Sequence, residues 1–236
     1  MHLAALFDMD GLLIDSERSI MTAWLRAAQD LGASLSETEY LAVVGHSAPK
    51  SDSILIEVFG DHSRFELARA AVLRTLEVRH ASNGFALKPG VKALLTALSE
   101  RKIPCAVASS SPKLEIERRL TAAGILRHFS SVAGGDEVLK GKPDPAVYLL
   151  AAHRLGVSAN QCLAFEDSPN GAHAALAAGA SLAIVPDLIA PTEELAVQSL
   201  GILGSLEEAL PQVEHWFTTA KTPNCNRTRP PSAAGE

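Results

Sequence analysis

The 236-residue chain reads as an α/β protein, a doubly wound parallel sheet into which an all-helical unit is inserted. Three observations carry this. From about Leu87 onward, short apolar runs alternate with helical patterns, the grammar of βα units that lays strands parallel and covers both faces with helices. The chain opens on one more such run, Leu3-Ala4-Ala5-Leu6-Phe7, closed by a turn signal and expected to be a buried strand. Between them, residues 16–83 show helical patterns and no strand. The expected organisation is a sheet core of residues 1–15 and 84–217, a helical insertion of residues 16–83 and a disordered tail of residues 218–236, rich in Thr, Asn, Arg and Pro.

Taken in order, Ile20, Ala23, Ala27, Ala28 and Leu31 share one helical face, which Gly32 stops. Ser36-x-x-Glu39 is a capping box for a short helix ending near Gly45. A helix over about Ser51 to Phe59 is closed by Gly60, and the next carries Phe65, Ala68, Val72 and Leu76 at helical spacing. Ser82-Asn83-Gly84 is the joint back to the core. Pro89-Gly90 leads a helix through Val91, Leu94, Leu95 and Leu98, before a strand over Cys105–Ala108. A helix with Leu114, Ile116 and Leu120 runs to Gly124, and a strand is expected near Ser131 to Ala133. Asp144-Pro145 supplies an N-cap and first-turn proline for a helix to Gly156. Cys162–Phe165 is the next strand, Ser168-Pro169 caps an alanine-rich helix ending at Gly179, Leu182–Val185 is the last strand, and Ser205-x-x-Glu208 opens a final helix.

Composition narrows the function. Apolar residues at 47% and charged residues at 20% describe an ordinary globular protein, and a net charge of −6 argues against a nucleic-acid partner. No run approaches membrane-spanning length, and the N-terminus lacks the basic region of a signal peptide. Cys105, Cys162 and Cys225 are scattered, with no CxxC pair, as in a reducing compartment. The expectation is a cytosolic protein.

Polar residues collect where the strands end. Asp8 and Asp10 follow the first strand, Ser109 the second, and Glu166-Asp167 the Cys162–Phe165 strand, while Lys142 sits in a Gly-Lys-Pro turn before a helix. In a parallel sheet these share the edge that binds ligands. Each has a plain reading taken singly: an acidic turn at Gly11, a turn hydroxyl, a solvated cation, an acidic helix lead-in. Together they suit phosphoryl transfer, which needs a nucleophile, charge relief on the equatorial oxygens and an acid for the leaving group. Asp8 would attack, Asp10 would serve as acid and base, and Mg²⁺ on Asp8 and Asp167 would relieve charge. Lys142 and Ser109, with backbone N–H groups near Gly11 and Ser110, would hold phosphate oxygens.

These stretches resemble the haloacid dehalogenase-like phosphohydrolases. Phe7-Asp8-Met9-Asp10-Gly11, Val107-Ala108-Ser109, Gly141-Lys142-Pro143 and Phe165-Glu166-Asp167-Ser168, the last followed by Gly171, match its four motifs in order over residues 2–215. The resemblance implies a Rossmann-like core, Asp8 as nucleophile and Asp10 as acid/base, with the Asp10 carbonyl also on the metal. It makes Asp167 a direct Mg²⁺ ligand and Glu166 a near-shell or second acidic partner, with Lys142 steadying Asp8. The helical insertion resembles the cap of the β-phosphoglucomutase and phosphoglycolate phosphatase group, which closes over the site and reads the substrate. Ser16, Ile20 and Trp24 on its first helix, with His46, Ser47 and Lys50 after Gly45, are the candidate substrate contacts.

The leading expectation is a monomeric Mg²⁺-dependent phosphatase acting on a small phosphomonoester, a phosphosugar by preference. A phosphosugar mutase shares the core and cap, but known mutases of this group carry a histidine where this chain has Ile20. A receiver-type phospho-acceptor uses similar residues, yet places its aspartate on a later strand and lacks a helical insertion.

Overall fold

The computed structural model describes residues 1–44, 48–82 and 84–218. Its centre is a five-stranded parallel sheet in the order β3-β2-β1-β4-β5. These strands are β1 (Ala4–Phe7), β2 (Cys105–Ala108), β3 (Ser131–Ala133), β4 (Cys162–Glu166) and β5 (Ser181–Ile184). Between β1 and β2 lie α1 (Glu17–Asp30), α2 (Glu37–Val44), α3 (Ala48–Phe59), α4 (His62–Ser82) and α5 (Val91–Glu100). The crossovers are α6 (Lys113–Ala122), α7 (Ala146–Arg154) and α8 (Pro169–Ala177), and the chain closes through α9 (Glu193–Gln198) and α10 (Val213–Trp216).

The strands are short and apolar except for Ser131, Glu166 and Ser181 at strand ends, because both faces are covered, and the two faces differ in grain. Ala5, Phe7, Val107, Leu163 and Phe165 point into a layer with Leu94, Leu95, Ile116, Leu120 and Trp216. Phe7 and Phe165 stack there with centroids 4.9 Å apart. On the other face Ala4, Ala106, Ala108 and Ala164 meet Ala151, Ala152, Ala172 and Ala175. Small side chains on both sides let α7 and α8 sit close against the sheet. Helices α1, α3 and α4 have a core of their own around Ala27, Phe59, Phe65 and Val72, with Trp24 stacked on Phe65 at 5.9 Å.

Register sets the heights of the strand ends. Phe7 pairs with Val107 on one side and Phe165 on the other, so Asp8, Ser109 and Glu166 leave the sheet at nearly one level.

Several boundaries differ from the sequence reading. The helix expected from Ser205 begins as a 3₁₀ turn over Leu206–Gln212, because Pro211 lies inside it and has no N–H for an α-ladder. Pro145, not Asp144, is the N-cap of α7, and Asp144 instead accepts from the Ala146 N–H at 3.0 Å. The last strand is Ser181–Ile184, one residue earlier than read, and α9 was not anticipated, being six residues of weak periodicity. Its cap is a Thr192 side chain accepting from the Leu195 N–H. The Ser36–Glu39 box forms as expected, with the Ser36 N–H donating to Glu39 at 2.8 Å. The segment expected to be a disordered tail lies outside the described residues, apart from Thr218.

Candidate active site

A cleft of about 950 Å³ opens between the carboxyl edge of the sheet and α1, α2 and α3. Asp8, Asp10, Ser109, Ser110, Lys142 and Asp167 form its floor, and Ile20, Trp24, Tyr40 and Leu55 face them.

Lys142 organises the floor. Its ammonium donates to Asp8 Oδ1 at 2.5 Å and to Glu166 Oε1 at 2.6 Å, and its side chain is 6% exposed. Glu166 is wholly buried and saturated: Oε1 also accepts from the Tyr148 hydroxyl, and Oε2 from the Asp167 and Ser168 N–H groups and the Ser168 hydroxyl. The space for this carboxylate exists because residue 171 is glycine. A Cβ there would lie 1.7 Å from Glu166 Oε1. Burial disfavours the charged forms of Glu166 and Lys142, but their attraction outweighs it, with Asp8 also holding Lys142 charged and Tyr148 helping Glu166.

The negative charge left over falls on Asp8 and Asp167. Burial pushes the Asp8 carboxyl above the usual carboxylate range despite Lys142, with Glu166 adding to the rise, and Asp167 rises through burial, Glu166 and Asp8. One ligand oxygen from each of Asp8, Glu166 and Asp167 falls within 4.8 Å of the others. Three buried hard oxygens with more negative than positive charge fit a small divalent cation. Because both Glu166 oxygens are occupied, Asp8 and Asp167 are the residues best disposed to ligate it directly.

Asp10 stands apart from this group. Its Oδ1 accepts from the Ser16 hydroxyl at 2.5 Å and from Arg119 Nη1 at 2.7 Å, and its Oδ2 from the Ser111 hydroxyl at 3.1 Å. Glu115 holds Arg119 in turn at 2.6 Å, and the guanidinium lies over the Phe85 ring.

The structure therefore brings Asp8, Asp10, Ser109, Ser110, Lys142, Glu166 and Asp167 to one place, with Ser16 on Asp10 and Ile20 and Trp24 across the cleft. Gly11 is different from expectation: its N–H is spent on the Ile14 carbonyl at 2.9 Å, so it does not offer a phosphate donor. Its role is spatial, since its φ is +83° and a Cβ there would sit 2.3 Å from Asp167 Oδ2. Lys50 is exposed and does not line the cleft, because the helical turn of α3 presents Ser51, Asp52 and Leu55 instead. His46 and Ser47 lie outside the described residues.

Sequence reasoning missed Arg119, Ser111, Tyr148 and Glu17. Glu17, at the start of α1, lines the cleft near Asp10 and Arg119. Burial first, then Asp10 and Asp187, push its carboxyl up to about 7, with Arg119 pulling the other way. Arg119 follows another arginine on a charged helix surface, and nothing local separates the two. Ser111, in a Ser-Ser-Ser run, was the one with a visible signal.

Residues 3–179 match the family model of the haloacid dehalogenase-like hydrolases. This chain belongs to that family. It is an enzyme of the hydrolase class, and its curated relatives in the family include a phosphorylated carbohydrates phosphatase of Thermotoga maritima, 33% identical over 75% of this chain and 81% of the relative. Hexitol phosphatase B of Escherichia coli is 32% identical over 87% of this chain and 93% of the relative. Among solved haloacid dehalogenase-like folds, CbbY of Rhodobacter sphaeroides in complex with phosphate is similar with a TM-score of 0.72, at 26% identity, over 89% of this chain and 96% of that one. Among the described residues no helix is long and apolar enough to cross a membrane.

Proposed function

We propose that this protein is a Mg²⁺-dependent phosphatase that hydrolyses a small phosphorylated carbohydrate or polyol through an aspartyl-phosphate on Asp8. The observation that carries this is Lys142 bridging Asp8 and Glu166 beside Asp167, with Asp10 held separately by Ser16, Ser111 and Arg119. The two aspartates of the first motif thus have separate sets of partners, Lys142 on Asp8 and Arg119 with two serine hydroxyls on Asp10, so each carboxyl is oriented independently of the other.

The Asp8 carboxylate attacks phosphorus, forming the Asp8–phosphorus bond as the bond to the leaving oxygen breaks. Asp10 gives its proton to that oxygen. Ser109 and Ser110 hold phosphate oxygens, and Lys142 orients Asp8 and opposes the effect of burial on its carboxyl. Water then attacks the phosphoryl group, Asp10 takes the water's proton, and phosphate leaves with Asp8 restored. A Mg²⁺ held by Asp8 and Asp167 supplies the charge relief that lets an anionic carboxylate approach an anionic phosphate.

The carbohydrate class is supported by the names of the relatives and by the cleft, where Glu17, Tyr40 and Asp52 offer hydroxyl partners beside apolar Ile20 and Trp24. Ile20 can neither give nor take a proton, which favours hydrolysis over phosphosugar mutation. The test is a panel of phosphomonoesters with Mg²⁺, where sugar and polyol phosphates should lead and Asp8→Asn should lower turnover by roughly 10³-fold or more. Full turnover by Asp8→Asn would remove the nucleophile assignment. Glucose 1-phosphate converted to glucose 6-phosphate in the presence of a bisphosphate primer would instead make it a mutase.

A further inference from the structure

Asp187 follows β5 in the run Val185-Pro186-Asp187, and its side chain is only 1% exposed. Its two oxygens are treated very differently. Oδ1 accepts from Lys88 Nζ at 2.6 Å and from Arg18 Nη1 at 2.7 Å. Oδ2, equally buried, has no hydrogen-bond partner, and it is alone in this among the buried side-chain polar atoms of the described residues.

Gly11 locates that oxygen. A Cβ on Gly11 would lie 2.3 Å from Asp167 Oδ2 and 3.3 Å from Asp187 Oδ2, so the two carboxylate oxygens border one small space beside the glycine. Buried polar atoms are nearly always satisfied, and an unpaired carboxylate oxygen next to a second carboxylate is a costly arrangement. The cations do not remedy it. Arg18 and Lys88 both engage Oδ1, so the carboxylate is held with its free edge toward Asp167. The donor this geometry lacks is one that arrives from the Asp167 side and tolerates two carboxylates. Water carried by a divalent cation is such a donor, because the ion polarises its O–H bonds.

We infer that Asp187 is a positioning residue of the metal site: its Oδ2 accepts a hydrogen bond from a water carried by the cation that Asp8 and Asp167 hold. This rests on the metal in the proposed function. Outer partners of this kind orient the direct ligands, and their loss costs about 10–100-fold in metal affinity. Asp187 does not touch the reacting phosphate; it acts through the ion's hydration.

The experiment is calorimetric titration of MgCl₂ alone into the full-length protein, stripped with a chelator and then desalted. Asp187→Asn keeps the shape and replaces the acceptor facing Asp167 by an amide. Its Kd for Mg²⁺ should rise by about 10–100-fold, while its melting temperature without metal should be no lower than that of the wild type, since the amide can donate to Asp167. An unchanged Kd overturns the inference. Lys88→Met and Arg18→Gln separate it from mere propping of the chain, because each removes a cation and leaves Oδ2 in place. Both should bind Mg²⁺ at least as tightly as the wild type. If either weakens binding as far as Asp187→Asn does, the role is only structural and the inference fails. Should Asp187→Asn not fold, weaker Mg²⁺ binding by either of these variants than by the wild type overturns the inference. A wild-type protein that binds no Mg²⁺ would instead remove the metal from the proposed function itself.

Discussion

Arg119 Nη1 lies 2.7 Å from Asp10 Oδ1, an ion pair between α6 and the loop after β1 that crosses the floor of the cleft. With Ser16 and Ser111 it leaves Asp10 accepting on both oxygens. These contacts fix the direction in which the carboxyl faces the cleft, which is what the proposed proton transfer by Asp10 depends on. Arg119→Ala should lower kcat by about 10²-fold, the lower end of the range for lost general acid–base catalysis, and leave KM nearly unchanged. Arg119→Lys should recover part of kcat, because it restores the charge without the planar fork. Steady-state kinetics on the best substrate of the panel checks both.

Lys142 is a buried cation shared by two carboxylates. Removing one partner of a buried pair leaves uncompensated charge and costs about 3–5 kcal/mol. Lys142→Met should therefore melt roughly 6–20 °C lower than the wild type in a chelator, at 2–4 °C per kcal/mol for a chain of this size. Mg²⁺ should restore part of the loss, and thermal unfolding with and without the ion measures it.

Alanine normally improves on a helical glycine by about 1 kcal/mol. At position 171 the sign should reverse, since the new methyl would sit 1.7 Å from Glu166 Oε1 and either displace that carboxylate or shift α8. Gly171→Ala should lose about 1–3 kcal/mol, the range for overpacking a close-packed site. Turnover should fall with it, because Glu166 orients Lys142. Denaturant unfolding and kcat report the two effects.

Glu17 has a carboxyl raised from the ordinary range to about 7 by burial and its acidic neighbours. A carboxyl whose folded pKa exceeds its unfolded value holds its proton better in the folded state, so its ionisation opposes folding. The penalty is absent below the unfolded pKa of about 4.3, grows toward pH 7 and is complete above it. Glu17→Gln should leave stability nearly unchanged at pH 4 and raise it by about 1–3 kcal/mol at pH 8. Melting curves at the two pH values check the sign. If Glu17 also binds substrate hydroxyls, KM should rise in the same variant.

The parts of this protein legible in its sequence are those written in local patterns. Four- and five-residue apolar runs followed by Asp8, Ser109 and Glu166 announced strands with chemistry at their ends, and helical spacing announced the block from Glu17 to Ser82. Those patterns record burial and turn chemistry within a few residues, which is why helix boundaries held where a capping box marked them and slipped at Pro145 and Pro211. Given parallel strands, the shared edge followed from topology alone.

What only the tertiary structure decided is which charge meets which. Arg119 reaches Asp10 across 109 residues and Arg18 reaches Asp187 across 169, and neither arginine differs locally from a solvated one. The same holds for Tyr148 on Glu166, and for the two glycines whose missing Cβ atoms make room for Glu166 and Asp167. A hydrogen bond is satisfied by position in space, and position in space is set by the packing of the whole sheet. The sequence alone thus pointed to the carboxylates at the strand ends, while the fold determined which partners each of them meets.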